Sequence, residues 1–315
     1  MKKVTIKNTD LVIAPINFGG NVFGWTLDEK QSFDILDKFV EGGFNFIDTA
    51  DLYSWWVDGG AGGQSETILG KWFKARGNRD NIVLATKVGG ATGVHPADTS
   101  KKHILEAVDK SLQRLQTDHI DLYYTHFDDG VTPVEETMEA YNEIVKAGKV
   151  RYIAASNVSP ERLTESLQVA EKNGFAKYVA LQPHYNLLVR ETFEKEYAPI
   201  VKEHDLSVFT YWSLAAGFLT GKYRTEADFD KTTRGAGIKK HFNEKGKAIL
   251  AALDQISQKH ASQPATVALA WLLANPLVTA PIVSATSERQ LETLFAAPEL
   301  NLDREDVELL NTVSK

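Results

Sequence analysis

Apolar residues along this chain recur in two alternating patterns: short continuous runs, and longer segments with a spacing of three or four positions. Runs of four to eight apolar residues bounded by turn residues are typical of buried strands. They predict strands at residues 11–18, 45–48, 82–87, 120–125, 150–156, 178–182, 207–211 and 278–283. The spaced segments are typical of amphipathic helices. They predict helices at residues 30–41, 65–75, 101–115, 133–147, 159–172, 193–204, 248–260, 264–275, 288–295 and 303–313.

Strands that alternate with helices in this way predict parallel pairing through right-handed crossovers. A closed (β/α)8 barrel and a doubly wound open sheet both have this arrangement. An open sheet gathers its functional residues at one switch point, whereas here polar residues follow almost every predicted strand. These residues are Asp48, Lys87, His126, Ser156, Asn157, Gln182 and Tyr211. Their distribution favours an α/β fold of the (β/α)8 TIM barrel type, built as a single domain over residues 1–315.

Three of these residues are regularly spaced. Asp48, Lys87 and His126 each follow an apolar run, and both intervals between them are 39 residues. The carboxyl ends of barrel strands meet on one face, which is where barrel enzymes carry their active sites. We therefore expect an active site on that face. Two long loops, residues 54–64 and 214–244, belong to the same face and are expected to act as lids.

Composition and charge narrow the possible partners. The 315-residue chain has a net charge of −7, which gives no reason to expect nucleic acid or an anionic membrane as a partner. It contains no cysteine, so disulfides and thiolate chemistry are excluded. The N-terminus lacks the apolar segment of a signal peptide, and no run approaches the length of a membrane span. A soluble, cytoplasmic protein is expected, and its oligomeric state, monomer or homo-oligomer, is left open.

Two common nucleotide-binding motifs are absent. The first predicted strand is followed by GGNVFG at residues 19–24 and not by a GxGxxG fingerprint. Gly217, Gly221 and Lys222 are spaced too tightly for a phosphate-binding P-loop.

Tyr53 follows Asp48 by five residues and completes a set suited to proton transfer. A tyrosine has an ordinary pKa near 10, too high for efficient proton donation at neutral pH. A Lys87 ammonium held by Asp48 would favour the phenolate, and His126 would orient a carbonyl oxygen and stabilise negative charge on it. Such a set predicts C=O reduction beside a hydride donor. A metal-dependent hydrolase is the weaker alternative, because Lys87 would repel the cation.

The same segments resemble the aldo-keto reductase family. GFNFIDTADLY at residues 43–53 is similar to that family's first signature, and SETILG at residues 65–70 to its continuation. Thr86-Lys87 and DLYYTH at residues 121–126 match the segments that carry the catalytic lysine and histidine. GKVRYI at residues 148–153 and LQPHYNLL at residues 181–188 are similar to the fifth and sixth strands of the family. The resemblance extends from about residue 12 to residue 294.

The resemblance implies a (β/α)8 barrel that binds NADP(H) without a Rossmann domain and reduces aldehydes or ketones, with a small-molecule carbonyl compound as substrate. It assigns Tyr53 as the proton donor, with Asp48 and Lys87 tuning its pKa and His126 orienting the substrate. Ser156, Asn157 and Gln182 would bind the nicotinamide carboxamide, Tyr211 would stack on the ring, and residues 217–222 would cover the pyrophosphate. The implied cofactor-binding residues are Gly20, Asp48, Ser156, Asn157, Gln182, Tyr211, Trp212, Ser213, Leu214, Gly217, Leu219, Gly221, Lys222, Ser284, Thr286 and Gln290.

The chain departs from the family pattern at the adenosine end of the cofactor site. The usual basic residue for the 2′-phosphate is missing at Ser284 and Thr286, and Thr293-Leu294 replaces the usual Glu-Asn pair. YWSL at residues 211–214 also differs from the usual Tyr-Ser-Pro-Leu. Arg289, Lys222 or Arg224 would have to compensate. NADP is therefore the expected cofactor, and NAD stays possible.

Several aromatic side chains on the same face either line a substrate pocket or pack against the lid, and we expect the substrate to bind among them. They are Phe23, Trp25, Trp55, Trp56 and Phe127. A second hypothesis from another functional class is a nucleotide-sensing binding subunit with little turnover, as in family members associated with potassium channels. Turnover on simple aldehydes would distinguish it from an enzyme. No metal site is expected.

Overall fold

The computed structural model describes residues 1–57, 59, 61–93, 95–231 and 235–315. Residues 58, 60 and 232–234 of the two predicted lid loops lie outside this part of the chain. Its strands are β1 (Val4–Thr5), β2 (Val12–Ile13), β3 (Asn17–Gly19), β4 (Phe46–Asp48), β5 (Val83–Val88), β6 (Ile120–Thr125), β7 (Val150–Ser156), β8 (Tyr178–Gln182), β9 (Ser207–Thr210) and β10 (Ala280–Val283).

Strands β3 to β10 form a closed barrel in which each strand pairs in parallel with its neighbours in sequence, and β10 closes onto β3. This confirms the predicted (β/α)8 barrel and excludes the open doubly wound sheet. The register brings polar residues to one end: Asp48 lies beside Gly19, Lys87 beside Tyr124, and Ser156 beside Gln182. The polar ends of β4, β5, β7 and β8 therefore share one face of the barrel.

The predicted first strand, residues 11–18, is two strands. Its first part, β2, pairs antiparallel with β1, and only β3 enters the barrel. Pro15 lies between them and has no N–H to donate to a neighbouring strand. The Ala14 amide donates instead to Asn45 Oδ1 at 2.9 Å. The β1–β2 hairpin buries Ile6 and Ile13 against the barrel interior, so it covers the end opposite the polar face.

Apart from one short helix, Gly235–Ile238, which lies in a segment predicted as a loop, the helices around the barrel follow the predicted positions to within a few residues. They are α1 (Glu29–Glu41), α2 (Gln64–Arg76), α3 (Lys101–Leu115), α4 (Val134–Lys146), α5 (Pro160–Asn173), α6 (Ala198–Glu203), α7 (Gly235–Ile238), α8 (Glu244–Lys259), α9 (Pro264–Ala274), α10 (Glu288–Ala296) and α11 (Arg304–Val313). Asp28 and Asp303 begin α1 and α11 with capping boxes, which satisfy free amide groups of the first turn. Residues Phe193–Tyr197, predicted as part of one α-helix, form a π-helical segment ahead of α6.

The loop after β9, predicted as a lid, is built largely of short helical segments in the described part. These are Ala215–Thr220, Glu226–Lys231, α7 and Lys239–His241. Tyr223 stacks on Phe229 at 5.0 Å, and Phe229 contacts Phe242 at 5.5 Å. A small aromatic cluster therefore holds this loop together.

Two hydrophobic layers hold the fold together. Inside the barrel, alternating strand residues such as Phe46, Leu122 and Phe209 pack together. Outside, the opposite faces of the strands pack against the helices, as Ile47 and Leu84 do. None of the helices in the described ranges is both long enough and apolar enough to cross a bilayer.

Candidate active site

A cavity of about 1220 Å³ opens at the carboxyl ends of the barrel strands. Its walls include the ends of β3, β4, β7, β8 and β10 and the segment after β9. A pocket for a drug-sized ligand is usually about 300–1,000 Å³. This cavity is therefore large enough for two molecules side by side, or for one long one.

Lys87 connects the predicted catalytic residues at the base of the cavity. Its Nζ donates to Asp48 Oδ1, to Thr49 O at 2.7 Å and to Tyr53 Oη at 3.0 Å. Lys87 and Asp48 are both buried. An ammonium whose three donors are all used, one of them by a carboxylate, is stable in the interior. The short strands β4 and β5 fix both ends of this ion pair.

His126 completes the group from the end of β6. Its amide donates to Val88 O at 2.7 Å, which ties it to β5. Its ring lies 5.9 Å from the Tyr53 ring in an edge-on arrangement. The His126 Nδ1 atom is buried and has no hydrogen-bond partner among the described residues. The fold thus brings all four predicted catalytic residues to one place.

Burial and neighbouring charges determine the protonation of these groups. Burial raises the pKa of the Tyr53 hydroxyl above its usual value; Lys87 lowers it and Asp48 raises it. The expected effect of Lys87 is present, but burial outweighs it, so Tyr53 is a neutral phenol at neutral pH. Burial, with a smaller contribution from Lys87, holds the pKa of His126 well below its usual value. His126 is therefore a neutral imidazole, able to donate one hydrogen bond without carrying charge.

A polar network extends from Asp48 along the neighbouring strand ends. Gln182 Nε2 donates to Asp48 Oδ2 at 2.9 Å, and Ser156 Oγ donates to Gln182 O at 3.0 Å. Asn157 Nδ2 donates to Ser156 Oγ at 3.1 Å, and Tyr211 Oη donates to Asn157 Oδ1 at 2.9 Å. The residues predicted to bind the nicotinamide therefore form one connected set with the catalytic carboxylate.

Comparison with known proteins decides the family. The sequence model of the aldo/keto reductase family matches residues 15–315. The chain belongs to the aldo/keto reductase family. It is 36% identical to an uncharacterized oxidoreductase, YrpG, of Bacillus subtilis (strain 168), over 99% of this chain and 96% of that protein. It is 34% identical to the aldo-keto reductase YhdN of the same organism, over 94% and 86% of the two chains. It is also 32% identical to a probable voltage-gated potassium channel subunit beta of Arabidopsis thaliana, over 95% and 92%.

Family membership confirms the resemblance noted in the sequence and places the chain among oxidoreductases, which in this family generally use nicotinamide cofactors. Thirteen of the sixteen residues implied to bind the cofactor line the cavity. They are Asp48, Ser156, Asn157, Gln182, Tyr211, Trp212, Ser213, Leu214, Gly217, Lys222, Ser284, Thr286 and Gln290. A cavity of about 1220 Å³ with this polar lining is large enough for a dinucleotide.

Three of the implied cofactor residues do not line the cavity. The carbonyl of Gly20 accepts from Ser65 Oγ at 2.8 Å, and Leu219 is buried in the core. Gly221 packs against Pro264 and Arg224. Each is next to a lining residue in the sequence, and its own atoms face away from the cavity because of local packing. Gly217 has no side chain, which leaves room for that of Lys222. The Lys222 Nζ atom lies 3.2 Å from the position that a Cβ atom at residue 217 would occupy.

Lys222 is the only lysine or arginine that lines the cavity in the described part of the chain. Arg224, named as a possible substitute for the missing basic residue, donates two hydrogen bonds to Asp254, both of 2.7 Å. Arg289 lies exposed in the first turn of α10, close in sequence to Gln290. Among the described residues, Lys222 is therefore the main cation available to a phosphate in the cavity.

The aromatic residues predicted for the substrate separate into two groups. Trp25, Trp56 and Phe127 line the cavity. Phe23 does not: it is fully buried and stacks on Phe18 at 5.5 Å between the barrel and the helices. Trp55 contacts Trp56 at 6.3 Å and lies outside the lining. Phe23 follows the strand end closely in sequence, but its side chain points to the outer layer.

Sequence reasoning did not single out several lining residues. Gln263 and Ala265 come from the start of α9, Ile238 from α7, and Asn21 from the turn after β3. They lie in connections whose contact with the cavity depends on how the loop after β9 folds back. Ser284 Oγ lies within hydrogen-bonding distance of Gly19 O, at 2.6 Å, and of Asn21 Oδ1, at 2.7 Å. These contacts likewise depend on closure of the barrel. No pattern in the sequence identifies these contacts.

The described residues contain no group of three or more histidines and carboxylates arranged to hold a metal ion. At the base of the cavity, the Lys87 ammonium occupies the position beside Asp48 that a cation would need.

Proposed function

We propose that this protein reduces aldehydes or ketones to alcohols with NADPH, and that Tyr53 donates the proton. The proposal rests mainly on one observation, the 3.0 Å hydrogen bond from Lys87 Nζ to Tyr53 Oη at the base of a large cavity. A phenol beside a buried ammonium is suited to give up a proton and remain as a stabilised phenolate.

Proton transfer follows from the protonation states of the site. The cofactor, when bound, supplies the hydride that the carbonyl carbon accepts. Tyr53 Oη gives its proton to the carbonyl oxygen, and Lys87 stabilises the resulting phenolate. Asp48 helps to keep Lys87 charged: burial lowers the pKa of that ammonium, but the charge of Asp48, together with Tyr53 and the hydrogen bonds to both, raises it by more. The neutral imidazole of His126 donates a hydrogen bond that orients the oxygen and stabilises its developing charge.

The cofactor would lie along the polar network. Ser156, Asn157 and Gln182 would bind the carboxamide, and Tyr211 would support the ring. Tyr211 is well placed for this, because His184 stacks on it at 5.2 Å and Asn157 fixes its hydroxyl. Residues 217–222 would contact the pyrophosphate, with Lys222 as the cation. Ser284, Thr286 and Gln290 would face the adenosine.

Substitution of Tyr53 tests the proton donor. Tyr53→Phe should lower NADPH-dependent reduction of a simple aldehyde by at least about 100-fold, because a general acid typically contributes 10²–10⁴-fold. NADPH affinity, followed by tryptophan fluorescence, should stay within about threefold. Tyr152→Phe is the matched control, since that hydroxyl bonds to Asp10 at the closed end of the barrel. Full activity in Tyr53→Phe would show that another group donates the proton.

Cofactor preference is a separate prediction. We expect NADPH to bind about tenfold more tightly than NADH, because one charge-assisted hydrogen bond to the 2′-phosphate raises the affinity by about that factor. The sequence offers three cations for it, and because Arg224 is paired with Asp254, Lys222 and Arg289 are the two to compare. Comparison of the NADPH/NADH affinity ratio in Lys222→Met and Arg289→Met identifies the one involved. Equal affinities for the two cofactors in the unmodified protein would refute the NADP assignment.

The similarity to a probable potassium channel subunit beta supports a second candidate, a binding protein that senses nucleotides. The two candidates differ in turnover. A protein that binds NADPH but reduces no aldehyde of a broad panel at rates of about 1 s⁻¹ or more would favour the sensing function.

A further inference from the structure

Asn157 connects the catalytic group with the aromatic ring that is proposed to support the nicotinamide. Its Nδ2 atom donates to the His126 carbonyl at 2.8 Å and to Ser156 Oγ at 3.1 Å. Its Oδ1 atom accepts from Tyr211 Oη at 2.9 Å. A single side-chain amide therefore fixes where His126 lies relative to Tyr211.

The backbone of Asn157 lies in a strained turn. Its φ is +43°, in the left-handed region, which asparagine enters more readily than most residues but still at a cost in free energy. The turn is also short, since only residues 157–159 separate β7 from α5. Tyr197 Oη donates to the Val158 carbonyl, directly after Asn157, at 2.8 Å. A side chain from another element thus holds this turn in place.

Tyr197 is the last residue of the π-helical segment Phe193–Tyr197. Pro199, in the first turn of α6, accounts for the departure from a regular helix. It has no N–H for the Lys195 carbonyl, and in an α-helix its ring would clash with that carbonyl. An extra residue in a helix turns the side chains that follow by about 100°, because an α-helix has about 3.6 residues per turn. Phe193 is therefore buried in the core while Tyr197 reaches the turn after β7.

Tyr197 also lies close to the ring of Tyr211. Burial, followed by the neighbouring hydroxyls of Tyr197 and Tyr53, raises the pKa of the Tyr211 hydroxyl to about 12. That hydroxyl therefore keeps its proton at neutral pH and donates it in the hydrogen bond to Asn157. Tyr197 itself is half-buried and does not line the cavity. Any effect of Tyr197 on the reaction must therefore pass through these neighbours.

We propose that Tyr197 is a positioning residue for carbonyl reduction: by holding the Asn157 turn, it keeps His126 and Tyr211 at the separation that the reaction requires. This inference rests on the proposed reductase function. In that function, Tyr211 supports the ring that carries the hydride, and His126 orients the oxygen of the carbonyl group whose carbon accepts it. The reacting atoms must lie about 3–3.5 Å apart, and a displacement of about 1 Å can lower the rate about 100-fold.

The first experiment measures Tyr197→Phe, which removes the hydroxyl and keeps the ring. The substrate is whichever of propanal, hexanal and benzaldehyde the unmodified full-length protein reduces fastest with NADPH. We expect kcat and the single-turnover rate of NADPH oxidation to fall about tenfold, because misaligned reactants react slowly. KM for the aldehyde and Kd for NADPH should change by less than about threefold, because Tyr197 lies outside the cavity that holds both molecules.

Tyr185→Phe is the matched control. Tyr185 Oη donates to Glu194 Oε1 at 2.8 Å, so this variant also removes a phenol hydroxyl bound to the π-helical segment, but it leaves the contact with Val158 intact. The urea midpoint should fall by similar amounts in both variants, whereas only Tyr197→Phe should be slow. Equal slowing in both would indicate a general disturbance of the segment and overturn the inference. An unchanged rate in Tyr197→Phe would also overturn it and leave the reductase function in place; if the unmodified protein reduces none of the aldehydes, both fail.

The second experiment removes the extra residue of the π-helical segment by deleting Lys195, whose side chain is exposed. The deletion turns Tyr197 away from Val158 and should slow hydride transfer about as much as Tyr197→Phe. The two changes combined should slow it no further, because both remove the same contact. Lys195→Ala keeps the register and should leave the rate within about twofold. A deletion variant with the normal rate, or slowing that adds up in the combined variant, would show that the segment does not act through Tyr197.

Discussion

Burial and neighbouring charges shift the pKa of the Tyr53 hydroxyl in opposite directions, and one of these charges, that of Asp51, lies outside the catalytic group. Burial raises the pKa, Lys87 lowers it, and Asp48 and Asp51 raise it. Asp51 is two residues before Tyr53, and its amide donates to Lys87 O at 3.2 Å. Its Oδ1 is buried without a hydrogen-bond partner among the described residues. An acid in this position affects both the stability of the fold and the charge around the site.

Asp51 should make the protein less stable as the pH rises from about 4 to 7. Burial first, then the charge of Glu66, raises its pKa to about 7, while Arg114 lowers it. The folded state therefore keeps the proton in a range where the unfolded state has lost it. Stability from this group is present below pH 4 and decreases by up to about 1.4 kcal/mol per pH unit until pH 7.

Asp51→Asn tests this directly by urea unfolding at two pH values. The variant should be more stable than the unmodified protein at pH 7.5, on the order of 1 kcal/mol or more, and close to it at pH 4.5. Asp80→Asn, at an exposed position, is the control and should change neither value by more than about 0.5 kcal/mol. An Asp51→Asn difference of the same size at both pH values would mean that Asp51 does not titrate in this range.

At the residue scale, the sequence predicts reactive groups better than it predicts their contacts. Asp48, Lys87 and His126 could be found because each lies at the end of a predicted strand. The bond from Gln182 to Asp48 could not, because it joins residues 134 positions apart across the barrel. Phe23 was misplaced for a similar reason: the direction of a side chain after a strand end depends on packing against Phe18 and not on its neighbours in sequence.

At the scale of elements, close contacts between helices determine which positions must be glycine. Gly70 lies within α2 where that helix meets α3. A Cβ there would be 2.1 Å from Arg114 O and 2.7 Å from Leu115 C, both backbone atoms that side-chain movement cannot relieve. Arg114 also donates to the buried Glu66 at 2.7 Å. The spacing of the two helices is therefore fixed by a backbone contact and an ion pair together.

Gly70→Ala should destabilise the protein, although alanine is the better helix former by about 1 kcal/mol. Overpacking usually costs about 1–3 kcal/mol, and here the helices must separate, so we expect a net loss of about 2 kcal/mol in the free energy of unfolding. Lys71→Ala, on the exposed side of the same helix, should stay within about 0.5 kcal/mol. A gain in stability for Gly70→Ala would show that α2 and α3 are not in contact at this point.

The elements themselves were largely predictable, with informative exceptions. The apolar spacing of α1, α3 and α4 is strong because one face of each packs on the barrel. The division of residues 11–18 into β2 and β3 was missed, since Pro15 sits in a run that is otherwise apolar. The π-helical segment Phe193–Tyr197 and the short helices after β9 are too short to show a recognisable spacing of apolar residues in the sequence.

At the scale of the whole molecule, the catalytic group and the hairpin that closes the core lie at opposite ends of the barrel. The cavity and the catalytic group lie at the carboxyl ends of the strands, and the β1–β2 hairpin covers the other end. Alternation along the chain could predict the barrel, since it repeats over the full length. It could not predict how the loop after β9 meets α9, because those contacts appear only once the barrel has closed.

Asp121, at the covered end, should matter for stability and not for the site. Its carboxylate accepts from Arg79 and Arg151, at 2.9 and 2.8 Å, and from the Leu84 amide at 2.9 Å. Asp121→Asn leaves these cations partly unpaired, so the free energy of unfolding should fall by about 3 kcal/mol in urea titrations. NADPH affinity and aldehyde KM should stay within about twofold, because five residues of strand, roughly 16 Å, separate Asp121 from His126.

The exposed Asp10 offers the control, Asp10→Asn, which should lower the free energy of unfolding by at most about 1 kcal/mol. A changed KM with full stability would place Asp121 in contact with the active face.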